Sequence, residues 1–282
     1  MFRADNYAAA ERLAREALAA DPNAAAAHTL LSRALTSLGR AKAGLAASEA
    51  ALALHPDGPA FYAQATALRA LRRRREAAAA AQEAARLSPQ RADYANLLGI
   101  LQEEAGRWNE ARASLEHAVS LAPANDEIRA SCGLFLLRRR KVAEAERLAQ
   151  DLAPTSDGTL ALLLRGRLAI LRHRPAEAKD FALWVLSRNA TDRGALRLLV
   201  EAKAGQSRLL RLWWYYQIFL NSAPRQAVPI VACAMLLGLL VPGLNILVIG
   251  FAYYSLAARR TFRMWLKREL KALDEVRLSK RF

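Results

Sequence analysis

Cysteine is scarce in this chain of 282 residues: Cys132 and Cys233 are the two present, 101 positions apart, and no disulfide framework or cysteine metal site is built from such a pair. Histidine is nearly as sparse. His28, His55, His117 and His173 do not share a register, and no His-Glu-x-x-His spacing occurs. Phosphate-cradling glycine loops and a strained Gly-x-Ser-x-Gly turn are also missing. Carboxylate neighbours such as Glu103-Glu104 and Asp126-Glu127 read as solvated helix surface. These absences argue against an enzyme and point to no catalytic residue, no metal and no cofactor. Acidic residues are outnumbered, 26 against 42 basic ones, which leaves a net charge of +16. The start, Met1-Phe2-Arg3-Ala4-Asp5, carries no apolar stretch of a secretory signal.

Charge itself is absent from Gln226 to Ala258, 33 consecutive residues rich in Leu, Ile and Val. About 20 apolar helical residues cross a bilayer core, so the run is expected to enter a membrane. Val241-Pro242-Gly243-Leu244-Asn245 interrupts it, because proline removes a donor and glycine supplies a turn. A re-entrant hairpin, two short spans and one kinked transmembrane helix all remain open. Arg208, Arg211 and Arg225 precede the run, and Arg259, Arg260, Arg263, Lys267 and Arg268 follow it, which favours a cytoplasmic position for both ends. Trp213, Trp214, Tyr215 and Tyr216 before it, and Tyr253, Tyr254 and Trp265 near its exit, are the candidate membrane-interface residues. Thr261 to Val276 reads as a basic amphipathic helix.

Upstream the chain repeats. Pro22, Pro56, Pro89, Pro123 and Pro154 close alanine-rich stretches at spacings of 34, 33, 34 and 31. Small residues recur at Ser32, Gly99, Gly133 and Gly166, and again at Ala10, Gly44, Ala77, Ala111, Ala145 and Ala178. A second packing set reads Ala17, Ala51, Ala84, Ala118, Leu152 and Val185. The unit Ala92 to Asn125 shows the pattern in full: Leu97-Leu98-Gly99, then Gly106-Arg107-Trp108, then Ala111, Leu115, Ala118 and Pro123. It resembles the tetratricopeptide repeat, in which two helices pack through small residues. The resemblance extends to bacterial membrane-associated proteins built on that repeat. It implies an all-α solenoid of helical hairpins and a scaffold that binds protein partners along its first helices. The first unit has only its second helix.

In that register the partner-facing positions are Thr29, Arg33, Tyr62, Thr66, Arg69, Asn96, Ile100, Leu134, Leu163 and Arg167. The turns inside the hairpins gather a basic ridge of Arg40, Lys42, Arg72, Arg73, Arg74, Arg75, Arg107, Arg138, Arg139, Arg140, Lys141, Arg172 and Arg174. Clustered arginine attracts phosphate and carboxylate, so the ridge is a candidate contact for anionic lipid or an acidic partner. Nucleic acid is disfavoured, since no zinc finger or RNA-recognition signature accompanies the charge.

The sequence thus predicts four segments: the solenoid over 1–205, an aromatic coupling helix over 206–225, the membrane hairpin or kinked span over 226–258 and a basic helix over 259–282. The expected role is a membrane-anchored, non-catalytic adaptor at the bacterial inner membrane, its solenoid on the cytoplasmic side. The alternative is a regulator that binds nucleic acid or an acidic partner through the ridge.

Overall fold

The structure, a computed structural model, describes residues 2–153, 156–190 and 192–207, and beyond them only 215, 249, 250, 253–255, 257, 258, 260, 261, 264 and 268. The described residues are all-α. In chain order they form α1 (Phe2–Ala20), α2 (Ala25–Ser37), α3 (Ala41–Leu54), α4 (Gly58–Ala70), α5 (Arg74–Leu87), α6 (Ala92–Glu104), α7 (Trp108–Leu121) and α8 (Asp126–Arg138), followed by α9 (Val142–Gln150), α10 (Thr159–Leu171), α11 (Pro175–Arg188) and α12 (Arg193–Gln206). The chain divides into two compact units, Met1–Phe135 and Leu136–Phe282, with the division inside α8.

In the first unit α1 packs on α2, and α2 with α3, α4 with α5 and α6 with α7 form antiparallel hairpins. Small side chains make that packing close. Ala51, Ala77 and Ala111 are fully buried, as are Ala118, Ala63 and Ala65. A methyl group added at Gly99 would lie 2.7 Å from Leu115 Cγ, so α6 and α7 meet at a distance that only glycine permits there. Ala65, Leu68, Ala77, Ala81, Leu97 and Leu101 share one core cluster, which ties the α4–α5 hairpin to α6. Ala17, of the second packing set, is exposed on α1. In the second unit Ala145, Ala178, Leu152 and Val185 are buried in the same manner.

The turn inside each hairpin is a six-residue closure repeated five times. The amide of Arg40 donates to Leu35 O, that of Arg73 to Leu68 O, of Arg107 to Gln102 O, of Lys141 to Leu136 O and of Arg174 to Ala169 O, at 2.8–3.0 Å. A second bond from the preceding residue completes each Schellman motif, which places that residue in the left-handed region. Glycine fills it at Gly39 (φ +82°) and Gly106 (φ +78°). Arg72 (φ +64°), Arg140 (φ +62°) and His173 (φ +59°) fill it elsewhere. The donating cation is in every case also the N-cap residue of the following helix.

Helix α9 is short, with 9 residues where α7 and α11 have 14. The missing turn leaves carbonyls to be satisfied, and Arg165 of α10 reaches across to Ala153 O at 2.5 Å and towards Ser156 O at 3.4 Å. First helices are capped by Asp57 and Asp192, whose carboxylates accept from Ala60 N and Ala195 N at 2.8 Å.

No helix among the described residues is long and apolar enough to cross a membrane. The coupling helix, most of the uncharged run and most of the basic C-terminal helix lie outside the described residues, as do Trp213, Trp214, Tyr216 and Trp265. Tyr253 is exposed and Tyr254 half-buried. Tyr215 is placed with its ring 5.1 Å from that of His173.

Candidate partner-binding site

The first unit gathers aromatic rings and guanidinium groups along its first helices. Tyr62 of α4 and Tyr94 of α6 stack with centroids 4.9 Å apart and planes at 24°. Tyr94 is buried and Tyr62 half-buried, which leaves an edge of the pair open. Arg91 lies 5.0 Å over the Tyr94 ring and grips Asp93 with two bonds of 3.0 and 2.9 Å. Burial pushes the Tyr62 hydroxyl above the usual phenol range, Asp93 adds to the shift, and Arg33, Arg69 and Arg91 oppose it. Burial likewise raises Tyr94, with Arg91 opposing. Burial alone would raise Asp93, but its bonds and charge contact with Arg91 win and hold the carboxyl below the usual range.

Of the positions expected to face a partner, Arg33 and Arg69 therefore each lie within electrostatic reach of Tyr62. Arg33 is exposed and makes no ion pair among the described residues, whereas Arg69 binds Glu104 at 2.8 Å. Thr66 and Thr29 spend their hydroxyls on Ala63 O at 2.8 Å and Ala25 O at 3.1 Å, and Thr29 is buried. Asn96 keeps a buried side-chain oxygen with no donor. Ile100 and Leu134 are half-buried. In the second unit Arg167 pairs with Glu201, and Leu163 is buried beside Gly194.

Tyr94, Arg91 and Asp93 belong to this cluster and were not among the sequence expectations, and Glu104, expected as solvated helix surface, joins it through Arg69. Tyr94 lies 32 residues from Tyr62 rather than a full period, so register alone does not pair them. The Arg91-x-Asp93 spacing was the available signal.

Six of the thirteen ridge cations are paired with a glutamate. Arg40 pairs with Glu11, Arg73 with Glu76 at 2.8 Å and Arg107 with Glu110 at 3.1 Å. Lys141 pairs with Glu144 at 3.0 Å, Arg172 with Glu146 at 3.0 Å and Arg174 with Glu177 at 3.2 Å. Arg138, Arg139 and Arg140 also have interactions. Lys42, Arg72, Arg74 and Arg75 make no ion pair among the described residues. The same residues show no group of His, Cys, Asp and Glu able to hold a metal ion.

The family model described as tetratricopeptide repeat matches residues 2–59, 62–126 and 97–161, together more than half of the chain. The chain belongs to the tetratricopeptide-repeat family. Solved structures agree on the fold. PilF of Pseudomonas aeruginosa superimposes with a TM-score of 0.53 at 20% identity, over 71% of this chain and 92% of that one. A tetratricopeptide-repeat protein of Thermus thermophilus gives 0.54 at 20% identity, over 65% and 99%. The Cut9–Hcn1 hetero-tetramer of APC/C gives 0.61 at 17% identity, over 95% of this chain and 55% of that one. No curated protein matches the sequence. Tetratricopeptide folds bind proteins or peptides, and a scaffold role in binding partners follows for this array.

Proposed function

We propose that this tetratricopeptide-repeat chain is a non-catalytic adaptor that holds a protein segment on the first helices of residues 1–135, while the uncharged run 226–258 tethers it to a membrane with the array on the cytoplasmic side. The Tyr62–Tyr94 stack with Arg33 beside it carries the reading. Stacked rings offer contact area at small entropic cost, and an exposed, unpaired guanidinium beside them favours a segment bearing a carboxylate. The tether rests on the length and lack of charge of the run, together with its basic flanks.

The test is photo-crosslinking in intact cells from the full chain, with the crosslinker in place of Ile100, an expected partner-facing position on α6, or of Leu183 on α11. A discrete adduct from position 100 that disappears with Arg33→Glu, and is missing from position 183, is the expected result. Adducts of equal yield from both positions, or none from position 100, would exclude this surface as the binding site.

A further inference from the structure

The turn between α4 and α5 differs from the other inner turns of the first unit. Gly39 and Gly106 take the left-handed position in their turns, and here Arg72 takes it at φ +64°. The N-cap cations Arg40, Arg73 and Arg107 are each matched by a glutamate, yet Arg72 and Arg74 make no ion pair among the described residues. These two line a cleft of about 520 Å³ together with Thr66, Arg69, Ala70 and Glu104. Arg69 and Glu104 cancel one another at 2.8 Å, which leaves the lining with two guanidinium charges in excess.

Two arginines without an ion pair lining one cleft suit a phosphate, to which arginine can donate paired N–H bonds. Thr66 contributes shape rather than a donor, because its hydroxyl proton is engaged by Ala63 O. No aromatic ring lines the cleft, so stacked bases have no platform there. We infer that the α4–α5 cleft binds the phosphate of an anionic phospholipid headgroup. The choice of a lipid over a free phosphate ester rests on the membrane tether proposed above; the anion site itself rests on Arg72 and Arg74. Arginine at the left-handed position, where glycine would sit without strain, supplies the second cation.

Isothermal titration of the full chain in neutral maltoside micelles tests the site, with dihexanoyl-phosphatidylglycerol, dihexanoyl-phosphatidylcholine and glycerol 3-phosphate as separate probes. Phosphatidylglycerol should bind in a salt-dependent manner, ahead of the other two, and the double variant Arg72→Gly with Arg74→Gln should weaken it about tenfold or more. Arg107→Gln, which removes a paired cation from the next turn, should leave the titration unchanged. Arg72→Gly relieves the backbone, so an unchanged or raised melting temperature separates loss of the site from loss of the fold. Equal binding of both lipids, parental binding by the double variant, or glycerol 3-phosphate binding as tightly as phosphatidylglycerol would overturn the assignment. Solubilised protein needs no membrane span, so failure here and failure of the tether to resist extraction are separate results.

Discussion

Arg72, Arg140 and His173 hold a backbone conformation that brings Cβ too close to the following carbonyl, at a cost of roughly 1–2 kcal/mol each. Replacing them singly with glycine removes that clash and returns some of it as extra freedom of the unfolded chain, so each change should stabilise the protein by about 0.5–1 kcal/mol. Urea unfolding followed by circular dichroism reads this as a higher midpoint at unchanged slope. A lower midpoint for all three would mean that the side chains earn more from their contacts than the backbone loses. Glycine marks a helix end in sequence, and Gly39 and Gly106 were legible on that basis. The other three turns were found through their basic runs, and nothing in Arg, Arg and His announces a left-handed residue.

At the scale of the helices, the 34-residue period was readable because small residues must recur wherever two helices touch, and Ala77, Ala111, Ala145 and Ala178 are all buried as that register requires. The spacing of 31 before Pro154 likewise announced the shortened α9. Arg165, which replaces the missing turn by reaching loop carbonyls, was not legible, since its partners lie 9 to 13 positions away in an irregular loop. Arg165→Ala should leave those carbonyls short of a donor and cost about 1–3 kcal/mol, measured as a lower thermal midpoint of the second unit. Arg165→Lys should recover part of the loss. The pairing of four ridge cations is legible in the sequence. A glutamate stands three residues after the N-cap cation at Glu76, Glu110, Glu144 and Glu177, where it pairs with that cation and also favours the positive end of its helix.

For the whole chain, one part of the acid response should originate in the partner surface. The folded carboxyl of Asp93 lies below its unfolded value of about 3.9, so its contribution is complete above that value and is lost as the pH falls through the lower, folded value. The near-ultraviolet signal of the tyrosine pair should therefore persist at pH 4 and fade only below it. Asp93→Asn should remove that dependence, and an unchanged profile in the variant would assign the transition to another group. Membranes washed with alkaline carbonate should retain the full chain and release a version truncated after Gly205; release of both would remove the tether. The Schellman turns bear on how such an array changes by inheritance. One residue both closes a helix and opens the next, so an inserted codon there would rotate the following helix by about 100° and turn its alanines to water. Between Gln150 and Thr159, the chain instead absorbs a deficit in helix length with a loop and one arginine. Tolerated length differences among descendants should collect in the loops between hairpins, while the inner turns keep their length and drift only in side chain.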